Sequence, residues 1–164
     1  IPAANLAAFG RLIPTGGPLP TRQHPDIKLY IVGKNPDKRL KDLATQDPRI
    51  ILAGFVEDLE PYFKKCRVFI PPLRFGSGIK VKVVNALYRG IPCVTTTIGT
   101  EGLKAIDGEH IFSSNEPAAF AKATDLLLTD KATWQLISRN ARNLARQYYT
   151  WNKVLENIKK AVEN

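Results

Sequence analysis

Residues 71–87 read PPLRFGSGIKVKVVNAL. Two prolines close an apolar run, a loop carries Gly76 and Gly78, and Lys80 falls where an amphipathic stretch begins. Glycine permits positive φ and lets a ligand come close to the backbone. The unpaired N–H groups of a helix start, together with the positive end of the helix dipole, stabilise phosphate oxygens. Lys80, read as part of the first helical turn, adds a point charge where a diphosphate would lie. The spacing is neither the G-x-x-x-x-G-K-[ST] of triphosphate-binding loops nor a G-x-G-x-x-G after the first strand. A P-loop triphosphatase and an ordinary nicotinamide site are therefore not expected. Taken alone, G-x-G-x-K also describes a tight strand-to-helix turn.

Apolar runs alternate with helical patterns on both sides of this stretch. KLYIVG (28–33), IILAGF (50–55), RVFIPP (67–72), IPCVTTT (91–97) and the short EHIFSS (109–114) read as five strands. PDKRLKDLA (36–44), EDLEPYFKKC (57–66) and IKVKVVNALYRG (79–90) read as the helices between them, the last closed by Gly90 as its C-cap. After Asn115 the pattern is entirely helical, with Pro117 placed for a first turn. Trp134, Ile137, Ala141, Leu144 and Tyr148 share one helical face, and Trp151, Val154, Leu155, Ile158 and Val162 repeat the pattern. Aromatics at that spacing are read as core.

Short continuous apolar strands separated by helices imply a parallel sheet covered on both faces. Right-handed crossovers make it a doubly wound, Rossmann-like α/β domain, here with a helical C-terminus. Such sheets bind ligands beyond the carboxyl ends of their strands, which singles out loops 33–36, 54–58, 72–80 and 97–102. Residues 25–164 read as this one domain. Residues 1–24 read as an irregular or truncated segment, because TGGPLP breaks a helical start with two glycines and two prolines.

The chain of 164 residues is 44% hydrophobic and 24% charged, the profile of a globular domain with a real core. No apolar run approaches the roughly 20 residues needed to span a bilayer, and no signal peptide opens the chain. The absence of methionine predicts a fragment or a processed product. Cys66 and Cys93 are too few for a disulfide framework or a zinc site and read as buried reduced thiols, which fits a cytoplasmic, reducing location. The net charge of +9 favours anionic partners, from phosphorylated small molecules to acidic lipid headgroups. No basic strand interleaved with aromatics marks an RNA-binding surface. Arg139, Arg142 and Arg146 read as a solvated helical stripe.

The run GSGIKVKVVNALYRGIPCVTTTIGTEGL (76–103) resembles the family 4 (group 1) glycosyltransferases of the GT-B fold. Their signature is a glycine loop, Lys-x-Lys, Glu-Ala-Met, Gly-x-Pro-Val-Val and a Gly-x-Glu-Gly loop, in that order. HPDIKLYIVG and ILAGFVEDLEPYFKKCRVFIPP upstream, and GEHIFSSNEPAAFAKATDLLLTD and ARNLARQYYTW downstream, extend the resemblance over roughly residues 5–151. It implies the C-terminal, donor-binding domain of a retaining enzyme. The acceptor, a glycan or lipid-linked sugar, would belong to a separate N-terminal domain, and transfer would need neither an obligatory metal nor a cofactor beyond the nucleotide-diphosphate sugar substrate. Carried onto this chain, Gly76, Ser77, Gly78 and Ile79 would place N–H groups on the donor diphosphate and Lys80 would add its charge. Gly54, Phe55 and Val56 would meet the base through their backbone, Gly33 would line the floor, and Glu101 would face the donor sugar.

Asn85 stands where the family has a ribose-gripping glutamate, and Ser77 where it has a second one that subfamilies with the G-x-G loop often lack. Asparagine hydrogen-bonds a hydroxyl without the added strength of a charge. Two alternatives therefore stand beside donor binding: a GT-B domain that has lost catalysis and serves as an interaction module, and a nucleotide-sugar epimerase-like domain. The chain alone is predicted not to turn over substrate, and its basic surface points to peripheral association with an anionic membrane face. Glu57 and Glu60 read as first-turn acids rather than a catalytic pair, and His24 and His110 as structural or surface residues.

Overall fold

The computed structural model describes residues 27–150. The expected irregular segment 1–24, with His24, and the closing helix from Trp151 lie outside the described residues. The described elements run β1 (Leu29–Val32), α1 (Lys38–Gln46), β2 (Ile50–Gly54), α2 (Glu60–Lys65), α3 (Val81–Arg89), β3 (Val94–Thr95), α4 (Thr97–Thr100), β4 (Phe112–Ser113), α5 (Pro117–Thr129) and α6 (Lys131–Tyr148).

The pairings are parallel, as continuous apolar strands require. β1 lies on β2 in the register Leu29↔Ile50 to Ile31↔Leu52, then slips so that Val32 faces Gly54. β3 lies on β4, Val94 opposite Phe112. The apolar run 67–72 joins β3 only through a parallel bridge between Phe69 and Cys93, where Phe69 N donates to the Pro92 carbonyl at 2.9 Å. The full strand expected there stops short because Pro71 and Pro72 have no N–H to extend a ladder. Ile70 in this run packs on the core under β1 and β2 and also on the core beside β3, joining the two halves.

Successive side chains in β3 and β4 point to opposite faces. Cys93 and Ile111 pack with Val83 and Leu87 of α3 and with Ala141 and Leu144 of α6. Val94 and Phe112 pack on the other side with Phe120 and Leu127 of α5. Both faces are covered, which is the doubly wound, Rossmann-like arrangement of an α/β domain. On the first pair of strands, Ile31 and Ile50 bury Leu40 of α1.

Local signals set the ends of the helices. Asp37 caps α1, its Oδ1 accepting from the Leu40 amide at 2.9 Å. Pro117 occupies the first turn of α5, and Asp130 accepts from Thr133 N at 2.9 Å to open α6. Gly90 ends α3 in the left-handed region at φ 68°. Several expected boundaries differ: the strands read over 91–97 and 109–114 are formed only at Val94–Thr95 and Phe112–Ser113, and the helix read over 79–90 at Val81–Arg89. The helix read over 57–66 is formed only at Glu60–Lys65, and Thr97 leaves the strand to begin the single turn α4. Cys66 and Cys93 are both free thiols, and burial pushes the Cys66 thiol up to about 11.

Candidate functional site

The glycine loop is anchored from below by the strand beside it. Thr95 Oγ1 donates to the Pro71 carbonyl at 2.7 Å, and Thr96 Oγ1 donates to the Leu73 carbonyl. Leu73 is buried, whereas residues 74–79 are exposed. The chain thus leaves the core at Leu73, crosses the surface through Gly76 (φ 127°) and Gly78 (φ 69°), and returns at Lys80. Lys80 is the extended N-cap residue of α3 (φ −87°, ψ 92°), one position before the first turn expected for it.

Along this path no backbone N–H from Arg74 to Lys82 donates to a protein acceptor among the described residues. The next amide, Val83, bonds back to the Lys80 carbonyl at 2.8 Å. The opening amides of α3 and those of the loop before it therefore form one continuous run of unpaired donors at the positive end of the helix. Buried backbone donors are almost always paired. Residues 74–79, 81 and 82 of this run are exposed, so water or a ligand can reach their donors.

Lys80 is buried at 8% exposure, and its Nζ donates to Gly78 O at 2.6 Å, Gly76 O at 3.0 Å and Glu101 Oε2 at 3.4 Å. Glu101 belongs to the loop that follows α4. Its neighbour Gly102, at φ 74°, packs so closely that an added Cβ would stand 3.3 Å from Ile79 Cγ1. Gly76, Gly78, Ile79, Lys80 and Glu101 thus meet at one place, with Ser77 on the exposed loop between the glycines. α4 itself is held by Gly99, where a Cβ would fall 1.9 Å from Thr95 Oγ1.

The loops after β1 and β2 form the second cluster. Gly33 N donates to Gly54 O at 2.8 Å, which joins the two strand ends. Gly54 turns the chain at φ 70°, exposing Phe55, whose ring lies 4.3 Å beneath Lys34 Nζ. Val56, half-buried, follows Phe55 in the same loop. Asn85 sits on the exposed face of α3, its carbonyl accepting from Arg89 Nη1 at 3.2 Å. Glu60 opens α2 and pairs with Arg89 at 2.7 Å, while His110 Nδ1 accepts from Ile106 N at 3.2 Å. Neither joins the two clusters.

Sequence reasoning missed Lys34 and the two threonines. A hydroxyl in a buried apolar strand must find an acceptor, so TTT at the end of the fourth apolar run was the available signal. Lys34 gave none, because its contact with Phe55 exists only once β1 and β2 are paired.

No described helix is long and apolar enough to cross a membrane. The chain spans 38% of the length of a Klebsiella pneumoniae protein of 44.6 kDa from the cps region, to which it is 29% identical over 86% of its own length. Its fold matches that of HepE from Anabaena, solved in complex with UDP, at a TM-score of 0.78 and 17% identity, covering 99% of this chain and 44% of that one. It also matches the C-terminal domain of the group 1 glycosyl transferase LpcC from Francisella tularensis, at a TM-score of 0.76 and 17% identity, covering 92% of this chain and 83% of that domain. The sequence profile of the glycosyl transferases group 1 matches residues 6–130. The chain belongs to that family.

Proposed function

We propose that this chain holds the diphosphate of a nucleotide-sugar donor on its glycine loop, as the donor domain of a retaining glycosyltransferase. The carrying observation is the unbroken run of unpaired amides from Arg74 to Lys82 beside a lysine ammonium. As the glycosidic bond breaks, negative charge grows on the departing nucleoside diphosphate, and preorganised N–H donors aimed at that charge lower the barrier. Phe55 and Val56 with Gly33 would receive the base, and Glu101 would reach the sugar. Uridine diphosphate is the first candidate nucleotide because the fold neighbour HepE was solved with it. An acceptor, glycan or lipid-linked, would be held by a further domain of a longer protein, which fits the 38% span of the Klebsiella relative. No metal or cofactor is invoked.

Calorimetric titration with UDP, GDP and ADP tests this reading. Selective binding to one nucleotide, weakened about tenfold or more in Lys80→Ala, is the expected result. Lack of binding to all three by the folded full-length protein would sink the reading.

Asn85 favours one competing role, an interaction module that has lost catalysis, because its exposed neutral amide offers a ribose weaker hydrogen bonds than a carboxylate would. Asn85→Glu separates the two. A working donor site should bind its nucleoside diphosphate about three- to tenfold more tightly in this variant, whereas a retired one should not respond.

A further inference from the structure

A lysine ammonium carries three N–H donors. In Lys80 three oxygens take them: Gly78 O at 2.6 Å, Gly76 O at 3.0 Å and Glu101 Oε2 at 3.4 Å. The two shorter bonds bind the ammonium to its own loop. In a trans peptide the carbonyl and the following N–H point in opposite directions, and the described chain has no cis peptide. Turning the Gly76 and Gly78 carbonyls toward Nζ therefore turns the Ser77 and Ile79 amides away from it, and neither amide donates to a protein acceptor among the described residues. Lys80 builds the outward-facing donor run from the inside.

The third contact differs in kind. It is the longest, it crosses to another loop, and its carboxylate is 56% exposed while the lysine is 8% exposed. The backbone beside Glu101 runs close to the glycine loop, since a Cβ added at Gly102 would stand 3.3 Å from Ile79 Cγ1 and 3.6 Å from Ile79 N. The side chain can rotate out without any movement of the loop.

We propose that Glu101 is an exchangeable place-holder for a ligand phosphate on Lys80. Until a diphosphate binds, the carboxylate completes the hydrogen bonding of the ammonium. A diphosphate that brings one phosphate to Nζ from the Glu101 side takes over the third N–H, because two anions cannot share one donor without repulsion. Glu101 then swings free into the space beside the leaving group. This inference rests on the donor reading and adds a sign to it: Glu101 opposes phosphate binding.

The experiment is titration of the full-length protein with UDP and with uridine, for wild type, Glu101→Gln and Glu101→Ala. Removing a half-exposed ion-pair partner that also repels the ligand should tighten UDP about three- to tenfold. Uridine, which carries no phosphate, should bind equally to all three. If either variant were poorly folded, Glu101→Asp would serve, since a carboxylate one methylene shorter withdraws from Lys80 and should also tighten UDP. UDP affinity that is unchanged or weaker in the variants, with wild type binding normally, overturns the place-holder and leaves the donor reading intact. A loss for a UDP-sugar with UDP itself unchanged leaves Glu101 a sugar ligand only and likewise overturns the place-holder. UDP bound by neither wild type nor variants removes the donor reading and this inference together.

Discussion

The two ends of α3 treat their backbone in opposite ways. At the C-terminal end four of the five carbonyls from Ala86 to Gly90 have a partner among the described residues, that of Tyr88 being the exception. Ala86 O accepts from Ile91 N at 2.9 Å and Leu87 O from Gly90 N at 2.8 Å, while Arg89 O accepts from Arg142 Nη2 at 3.0 Å and Gly90 O from Ser138 Oγ at 2.5 Å. At the N-terminal end no amide from Arg74 to Lys82 has a protein acceptor among the described residues. A helix end satisfied by its own protein is finished structure, and one left open at the surface is free to take water or a ligand. Function and stability are therefore separable along one nine-residue helix, and substitutions at its two ends should part into two classes.

The largest effect is expected at Gly99, which supports the open end from beneath. A Cβ there would collide with Thr95 Oγ1 at 1.9 Å, and Thr95 is fully buried and committed to the Pro71 carbonyl. Gly99→Ala should cost about 3 kcal/mol of stability through overpacking and loss of that hydrogen bond, seen as a lowered Tm. Gly90→Ala should come next, at roughly 2 kcal/mol. It strains a position at φ 68° and drives a methyl to within 2.6 Å of Arg142 Nη2, breaking the bond that closes the helix. Nucleotide affinity of the protein that remains folded should be unchanged. Gly78→Ala gives the opposite pattern. Its φ of 69° is as strained, but nothing lies within 4 Å of the added methyl, so stability should fall by only about 1 kcal/mol. Nucleotide binding should suffer most, because the conformation that aims the Ile79 amide is lost. Equal affinity losses in Gly90→Ala and Gly78→Ala would erase the distinction between the ends.

What was legible in the sequence follows the same division. Gly90 as a C-cap, Pro117 in a first turn and the glycine loop before an amphipathic helix depend on backbone preferences that act over a few residues, so they could be read directly. The alternation of apolar runs with helical patterns carried the parallel α/β fold. Tertiary partners could not be read. Helical spacing placed Arg139, Arg142 and Arg146 on one exposed face, which they occupy, but it does not report what stands opposite a face. The guanidinium of Arg142 is also a cap on α3. Lys80 could be recognised as a cation beside the loop, but its bonds to Gly76 and Gly78 and its pairing with Glu101, far along the chain, need the folded loop. The run 67–72 read as a full strand from its apolar content, and its two prolines limit it to one bridge.

The smallest effect should sharpen the comparison most, because an Arg or Lys pairs with a carboxylate near each end of α3. Near the closed end, Arg89 Nη2 and Nε meet Glu60 Oε2 at 2.7 and 3.0 Å, and the guanidinium lies 4.7 Å from the centre of the Phe63 ring. Both partners are partly exposed, at 32% and 41%, so solvent screens most of the attraction. Glu60→Gln should therefore lower stability by only about 0.5 kcal/mol, less at high salt, and leave nucleotide affinity untouched. Glu101→Gln removes a carboxylate of the same kind near the open end, from a longer contact of 3.4 Å. Contact geometry alone would make it the quieter substitution. Stability should indeed barely move, but UDP should bind more tightly, because there the carboxylate competes with a ligand rather than completing a fold. Measuring Tm and UDP affinity for both variants, at low and at high salt, distinguishes the two pairs. If Glu60→Gln also tightened UDP, the gain would be a general effect of removing negative charge, and the two ends of α3 would not differ in the way their hydrogen bonds indicate.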